Sequence, residues 1–250
     1  MTDVGVRRPL AGRRIVTTRE EVGRLDSLLA TAGADVVHVP LIEILDAADG
    51  GVALAEALEG LADVDWLIVT SRHGARRVGA AVAEHANLRL GVVGTRTAAE
   101  LAQLAGRAVD VLPVRQTAAD LAAALPSPSH NGERVVVAQA DRADGALVVA
   151  LADRGYDVVA VTAYTTSLRY PSDAERRAAL EADAVAFASG SAAEAWAGAI
   201  GVETPPVAVA IGPVTQRAAA AVGLKVTHVA ADHSVEGLAA EVTAALLHEP

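Results

Sequence analysis

Gly155-Tyr-Asp-Val-Val-Ala-Val-Thr-Ala-Tyr-Thr-Thr166 reads as a β-strand that overruns its own domain and delivers one tyrosine, Tyr164, just past the strand end. The run is rich in β-branched residues, and Gly155 before it suits a helix C-terminal cap. An earlier stretch, Ala34-Asp-Val-Val-His-Val-Pro-Leu-Ile-Glu-Ile44, opens in the same way and also follows a glycine. Each run is about 11 residues long, against ~5–6 for an ordinary strand. Two strands of that length suit a connection between two domains.

The two runs belong to an internal duplication. Gly12-Arg-Arg-Ile-Val-Thr-Thr18 is echoed by Gly132-Glu-Arg-Val-Val-Val-Ala138, and Asp65-Trp-Leu-Ile-Val-Thr-Ser71 by Asp183-Ala-Val-Ala-Phe-Ala-Ser189. Val93-Gly-Thr-Arg-Thr97 is matched by Ile211-Gly-Pro-Val-Thr215, and Thr117–Leu125 by Ser234–Val242. The offset stays near ~120 residues throughout, so the repeating unit is domain-sized and the chain is no solenoid. Within each unit short apolar strands alternate with Ala-rich helices. The first unit reads as strands at Ile15–Thr18, Trp66–Thr70, Leu90–Val93 and Val109–Leu112, with helices at Glu20–Ala32, Gly74–Ala86, Thr97–Ala105 and Ala118–Leu125. Such a pattern predicts parallel sheets covered on both faces. The turn-rich Pro126–Gly132 joins the two repeats.

Composition narrows the function. The chain has 250 residues, 52% of them hydrophobic and 21% charged, which is globular and long enough for two domains. No apolar run approaches a membrane span, and Met1–Leu10 lacks a signal-peptide core, so a cytoplasmic protein is expected. With no cysteines, disulfide and thiolate chemistry is excluded. A net charge of −10 and six aromatic residues argue against a nucleic-acid binder. All but one of the 21 basic residues are arginines, whose planar fork suits carboxylates and phosphates, although genomic composition alone accounts for such a bias.

In open parallel sheets, ligands gather beyond the carboxyl ends of the strands, where helix N-termini present free N–H groups. Those places are rich in hydroxyls and arginines here. They comprise Thr17-Thr18-Arg19, Thr70-Ser71-Arg72-His73, Gly94-Thr95-Arg96-Thr97 and Arg115-Gln116-Thr117 in the first repeat. The second contributes Gln139–Arg142, Ser189-Gly190-Ser191, Gly212-Pro213-Val214-Thr215 and His233-Ser234. Taken singly each hydroxyl is an ordinary N-cap. Together they form two rims of small donors suited to a multiply anionic molecule.

The chain lacks the dinucleotide and Walker fingerprints, a nucleophile elbow and metal-ligand histidine spacing. No metal site is expected. His73 and His233 stand at strand ends, where solvated loop histidines are common. Lys225, at the start of an expected strand, is badly placed for Schiff-base chemistry. Tyr164 reads either as a core-edge residue or as a phenol that donates a proton to a leaving oxygen.

These motifs resemble the uroporphyrinogen-III synthase family over about Gly12–Leu247. The resemblance rests on D-W-x-x-x-T-S at Asp65–Ser71, V-G-x-x-T-A at Val93–Ala98, Y-x-T at Tyr164–Thr166, F-x-S-x-S at Phe187–Ser191 and I-G-P-x-T at Ile211–Thr215. It implies two three-layer parallel-sheet α/β domains of duplicated origin, joined by a two-stranded β-ladder with a cleft between them. One domain would be Met1–Val37 with Ser167–Pro250, the other His38–Thr166, linked by strands at 36–44 and 158–166. The implied reaction closes hydroxymethylbilane, a linear tetrapyrrole with eight carboxylates, to uroporphyrinogen III. It loses the terminal hydroxyl as water and inverts ring D through a spiro intermediate. No cofactor is implied. By the same resemblance Tyr164 assists departure of the hydroxyl, and Ser71, Thr97, Ser189, Ser191 and Thr215 line the cleft. Charge and position add Arg19, Arg72 and Arg96, and the rims add Thr18, Thr95, Gly190 and Gly212. A monomer in transient contact with the preceding deaminase, free of nucleic acid and membrane, completes the expectation.

Two features depart from it. The acidic chain repels an octa-anion at long range, although a Debye length of ~8 Å confines that effect. Ala188 and Gly190 stand where the family block has Thr and Pro. A non-catalytic ligand-binding or regulatory module on the same fold remains open, as does a two-lobed solute-binding protein. The absence of a winged-helix segment after Leu247 and of a signal peptide favours the enzyme.

Overall fold

The computed structural model describes residues 8–62, 65–85, 87–130 and 132–248. In chain order the elements are β1 (Arg14–Thr17), α1 (Arg24–Thr31), β2 (Asp35–His38), β3 (Ile42–Asp46), α2 (Val52–Glu59), β4 (Trp66–Val69), α3 (Arg72–Glu84), β5 (Arg89–Val92), α4 (Thr95–Ala105) and α5 (Ala118–Ala124). They continue as β6 (Arg134–Ala140), α6 (Ala146–Ala152), β7 (Asp157–Leu168), α7 (Asp173–Leu180), β8 (Ala184–Phe187), α8 (Gly190–Ala199), β9 (Val207–Ala210), α9 (Pro213–Ala221), β10 (His228–Val229) and α10 (Val235–His248). The chain divides into two compact units, Met1–Glu43 with Ser167–Pro250, and Ile44–Thr166. The break expected after Val37 would cut β2, which pairs along its whole length with β1 in the first unit.

Among the described residues one sheet runs β10-β9-β8-β1-β2 and the other β3-β7-β6-β4-β5. Pairings of β1 with β2 and β8, and of β9 with β8 and β10, are parallel, as are those of β4 with β5 and β6 and of β6 with β7. The duplication and the sheets are therefore crossed. β1 and β2 of the first repeat sit beside β8–β10 of the second, while β6 and β7 of the second sit beside β4 and β5 of the first.

Each central strand is buried on both faces, and alternate residues feed different cores. In the first unit Ile15, Ala184, Val207 and Val209 pack with Leu25 and Leu29 of α1 and Leu238 and Val242 of α10. Val16, Val185, Phe187 and Ala208 turn the other way, towards Trp196 of α8 and Ala219 of α9. Phe187 and Trp196 meet edge-on at 5.8 Å, a contact that adds about 0.5–1.5 kcal/mol to their burial. In the second unit Leu67, Val69, Leu90 and Val136 face Leu54 and Leu58 of α2, Val78 of α3 and Leu101 of α4. Trp66, Ile68, Val135 and Val137 face Leu121 of α5 and Leu147 and Leu151 of α6.

Several expected elements are corrected. The long strand expected over Ala34–Ile44 is two strands in different sheets, β2 and β3, broken at Val39–Leu41. Pro40 has no N–H to give to a ladder, whereas Val39 and Leu41 donate to the carbonyls of Thr17 and Thr18. β7 does span 12 residues without interruption. The strand expected at Val109–Leu112 is reduced to a bridge between Gly91 and Val111. α1 starts at Arg24 rather than Glu20, because the Asp26 carboxylate takes the Gly23 N–H at 2.7 Å and fixes the helix start there. Lys225 precedes β10 instead of opening it. The expected helix ending at Ala86 closes at Glu84, and Ala86 lies outside the described residues.

At the strand-start edge of the second sheet sits a buried carboxylate, Glu133. It accepts from Trp66 Nε1 at 3.0 Å, Arg89 at 2.6 Å, and the Ser129 amide and hydroxyl at 2.6 and 2.5 Å. The Arg89 guanidinium also stacks over the Trp66 ring at 4.7 Å. Burial pushes the Glu133 carboxyl up, but the bonds from Ser129 and then Arg89 outweigh it and hold it at about 2.

Candidate active site

The candidate site lies at the opposite edge, where β4, β5 and β6 deliver the chain into helices. β6 and β7 pair in register up to Gln139 opposite Thr162, and then Ala140 lies opposite Tyr164. Ala163 is the extra residue of a β-bulge, rare between parallel strands. The bulge decides where the tyrosine goes. Val159, Val161 and Ala163 contribute to the core under α3, whereas Val158 contributes to the core on the opposite face. Strict alternation would send Tyr164 with Val158. The extra residue sends it to the α3 side instead, where it is buried to 7% exposure. Asp141 fixes the strand just beyond the tyrosine side chain. Its N–H donates to the Tyr164 carbonyl at 3.1 Å, and its carboxylate accepts from the Thr166 N–H at 3.0 Å.

The first turn and a half of α3 closes on the phenol ring. The His73 ring meets Tyr164 edge-on, with centroids 5.5 Å apart, and the Arg77 guanidinium lies 5.5 Å from the ring centroid. His73 and Arg77 are four residues apart on the helix and therefore share a face. Ser71 caps α3, its hydroxyl accepting from the Gly74 N–H at 3.0 Å. Arg72, next in the chain, is half-buried. At the neighbouring helix start, Gly94 is the extended N-cap of α4, and the Thr95 N–H donates to the Gln116 side chain at 3.1 Å. Thr95 and Arg96 are exposed, while Thr97 is buried in the first turn. Beside them the Thr117 hydroxyl, and after it Arg115, holds Asp120 below the usual carboxylate range.

The first unit presents a rim of the same design. Ser189 caps α8 by accepting from the Ala192 N–H at 3.2 Å, and its hydroxyl lies 3.0 Å from that of Ser191. Both serines are exposed. A Cβ on Gly190 would stand 2.8 Å from that of Ala218 on the adjoining helix α9, so this residue lets the two helix starts approach closely. Gly212 caps α9 in extended conformation with the His233 ring against it, about 3.0 Å from where a Cβ would sit. Arg19 is exposed, and its carbonyl is bonded to His38 Nε2 at 2.7 Å. Thr18 and Thr215 are buried.

The structure thus separates the expected hydroxyls. Thr95, Ser189 and Ser191 are open to solvent and Ser71 partly so, whereas Thr18, Thr97 and Thr215 are enclosed. Sequence reading missed Arg77 and the bulge. The four-residue spacing from His73 to Arg77 is a legible signal for the former. A cleft of about 490 Å³ lies nearby between α2 and α3, with Asp46, Glu59, Glu84, Arg77, His85 and Ala163 in its walls. Arg77 is paired with Asp46, and three carboxylates against one arginine and one histidine make it a poor seat for an anionic substrate. Among the described residues no group of three or more His, Cys, Asp or Glu is arranged to hold a metal ion, and no helix is long and apolar enough to cross a membrane.

A family model described as uroporphyrinogen-III synthase HemD matches residues 23–240. The chain belongs to the uroporphyrinogen-III synthase family. A uroporphyrinogen-III synthase of Synechococcus elongatus is 31% identical over an alignment 159 positions long, which covers 56% of this chain and 60% of that protein's length. A mutant uroporphyrinogen III synthase of the extremely thermophilic bacterium Thermus thermophilus superposes with a TM-score of 0.58 at 20% identity, covering 95% of this chain and all of the other. The uroporphyrinogen-III synthetase of Helicobacter pylori gives 0.63 at 16% identity, covering 94% and 98%. At such identities these two structures speak for the α/β fold.

Proposed function

We propose that the chain is a uroporphyrinogen-III synthase, a cyclising hydro-lyase that needs no cofactor. It would close hydroxymethylbilane with inversion of ring D and loss of water. The observation that carries this reading is the bulge at Ala163, which seats a phenol against the first turns of α3, beside a helix start able to take carboxylates. Bulges recur next to active sites, where they re-aim a side chain, and a helix N-terminus is a ready seat for an anion.

In this reading Tyr164 gives its proton to the departing hydroxyl, which leaves as water. The proton lost when the ring closes restores the phenol. General acid help of this kind contributes ~10²–10⁴-fold. The exposed donors Thr95, Ser189 and Ser191, the partly exposed Ser71, and the N–H groups at the starts of α3, α4 and α8 would receive the carboxylates, with Arg19, Arg72 and Arg96 adding charge. Gly190 and Gly212 would keep the starts of α8 and α9 close-packed, against Ala218 and the His233 ring respectively. The enclosed Thr18, Thr97 and Thr215 would support these starts from behind. The cation formed after the hydroxyl leaves must be held in one fold, so positioning and shielding are a large share of the task. Work in the cytoplasm as a monomer, with transient contact to the preceding deaminase, belongs to the same proposal.

The test is a coupled isomer assay. Porphobilinogen and a deaminase generate hydroxymethylbilane, this protein is added, and the oxidised porphyrins are separated. Mostly III isomer is expected. Only the I isomer, from protein shown to be folded, would refute the enzyme and leave the non-catalytic binding module.

A further inference from the structure

We propose that Arg77 is the positioning residue of this site, fixing the rotation and tilt of the Tyr164 ring so that its hydroxyl is aimed at the leaving group. The proposal rests on the reading of Tyr164 as proton donor, and deepens it.

A tyrosine side chain has two free torsions, and a proton donor must be aimed to within a fraction of an ångström to be effective. The core under α3 encloses the Tyr164 ring and His73 meets it edge-on, contacts that are apolar or edgewise and weakly directional. Arg77 adds a directional contact, with its guanidinium over the ring at 5.5 Å. Cation–ring attraction acts through the ring face, so a cation fixed in space also fixes the plane of the ring.

The guanidinium is itself held firmly. One terminal nitrogen donates to the His73 carbonyl at 3.3 Å, and the other to the Leu45 carbonyl at 3.1 Å and the Asp46 carboxylate at 3.0 Å. The Asp46 side chain is 85% exposed, so that ion pair is screened and contributes little by itself. The two carbonyls are fixed backbone, one in the first turn of α3 and one in β3. Three acceptors in different directions define the plane of a fork, which a lysine ammonium cannot reproduce. The end of β3, the start of α3 and the bulge of β7 therefore meet at one side chain. Arg77 is only 23% exposed and stacked, which distinguishes it from a solvated surface arginine.

The experiment compares Arg77→Met, Arg77→Lys, Tyr164→Phe and the double variant Tyr164→Phe/Arg77→Met in the coupled isomer assay. Arg77→Met should lower kcat about 10- to 100-fold with KM within about twofold, because the ring is misaimed rather than the carboxylates lost. Arg77→Lys should fall between, keeping the charge but not the fork. On the Tyr164→Phe background, Arg77→Met should cost less than about twofold more, since two changes acting through one hydroxyl are not additive. A second readout is independent of turnover. With ¹³C-labelled tyrosine the protein shows three residues, Tyr156, Tyr164 and Tyr170, and the Tyr164 ring signals should shift and sharpen as ring flipping accelerates in both Arg77 variants. Wild-type kcat in Arg77→Met beside a slow Tyr164→Phe overturns the positioning role and leaves Tyr164 intact. Losses that multiply in the double variant overturn it too, as does an unchanged Tyr164 spectrum in the Arg77 variants. Wild-type turnover by Tyr164→Phe removes the reading beneath it. Should Arg77→Met fail to fold, Arg77→Lys and its spectrum decide the matter.

Discussion

Replacing Glu133 by Gln should destabilise the second unit selectively, and in a way that depends on pH. In the native protein one carboxylate accepts from Trp66, Arg89 and the amide and hydroxyl of Ser129, with its pKa held at about 2 against an ordinary value of 4.5. Because the folded value lies below the unfolded one, the carboxylate's contribution is complete above pH 4.5 and is lost as pH falls from there through about 2. At ~1.4 kcal/mol per unit, that lowering represents about 3 kcal/mol. A glutamine fills the same space but turns an NH₂ donor toward donors on one side and leaves Arg89 without a counter-charge, a loss of about 3–5 kcal/mol for a broken buried pair. The chain has two tryptophans, Trp66 in the second unit and Trp196 in the first. Urea unfolding followed by Trp66 fluorescence in a Trp196→Phe background therefore reports the second unit alone. The variant should unfold at lower urea at pH 7, and its deficit should shrink towards pH 3. Equal stability at pH 7, or a deficit that stays constant down to pH 3, would refute the assignment of that carboxylate as the anchor of the network.

Three further outcomes follow from the same geometry. Tyr164→Phe should retain the fold by circular dichroism while kcat for ring closure drops by about 10²-fold or more, and turnover at the wild-type rate would exclude a proton from the phenol. A Cβ on Gly237 would stand 2.0 Å from the Asp232 carbonyl oxygen, a backbone atom that cannot swing aside, so Gly237→Ala should displace the start of α10. A lower thermal midpoint for the first unit, with more than ~2 kcal/mol lost, is the expected result. Ser172 and Glu175 form a reciprocal cap on α7, so Ser172→Ala should cost about 1 kcal/mol in chemical denaturation and leave isomer yield unchanged.

The alternation of short apolar strands with alanine-rich helices was legible because strands buried on both faces carry no polar face to obscure them, as in Trp66–Val69 and Val207–Ala210. The glycines before the two long runs were legible for a conformational reason: Gly33 and Gly155 have φ of +99° and +92°, which suits a residue without a Cβ. The break at Pro40 was also written in the sequence, as a missing donor inside an expected ladder. The helix Val52–Glu59 is hidden in the sequence because two glycines separate its start from Asp49. There the Asp49 carboxylate takes the N–H groups of Gly51 and Ala53. Long-range pairings were not legible at all. Nothing local to Trp66 indicates that its ring nitrogen meets a carboxylate 67 residues later, and nothing in Val-Thr-Ala-Tyr tells which residue bulges. The hydroxyl rims were legible as helix starts, but burial of Thr97 and Thr215 depends on packing that spacing does not reveal.

The crossing of the repeats bears on how the molecule is made. The second unit is one uninterrupted segment, Ile44–Thr166, whereas the first needs both ends of the chain. A ribosome releases β1 and β2 early, yet the Arg14 N–H waits for Asp183, 169 residues downstream. Until then β1 has β2 beside it but lacks its β8 neighbour, and α1 lacks the α10 side chains that cover it. The nascent chain therefore completes its middle first and carries β1, α1 and β2 with an open strand edge and a bare apolar helix face through most of translation. A molecule released short of α10 would keep its middle unit folded and leave Leu25 and Leu29 of α1 uncovered, a substrate for chaperones and proteases.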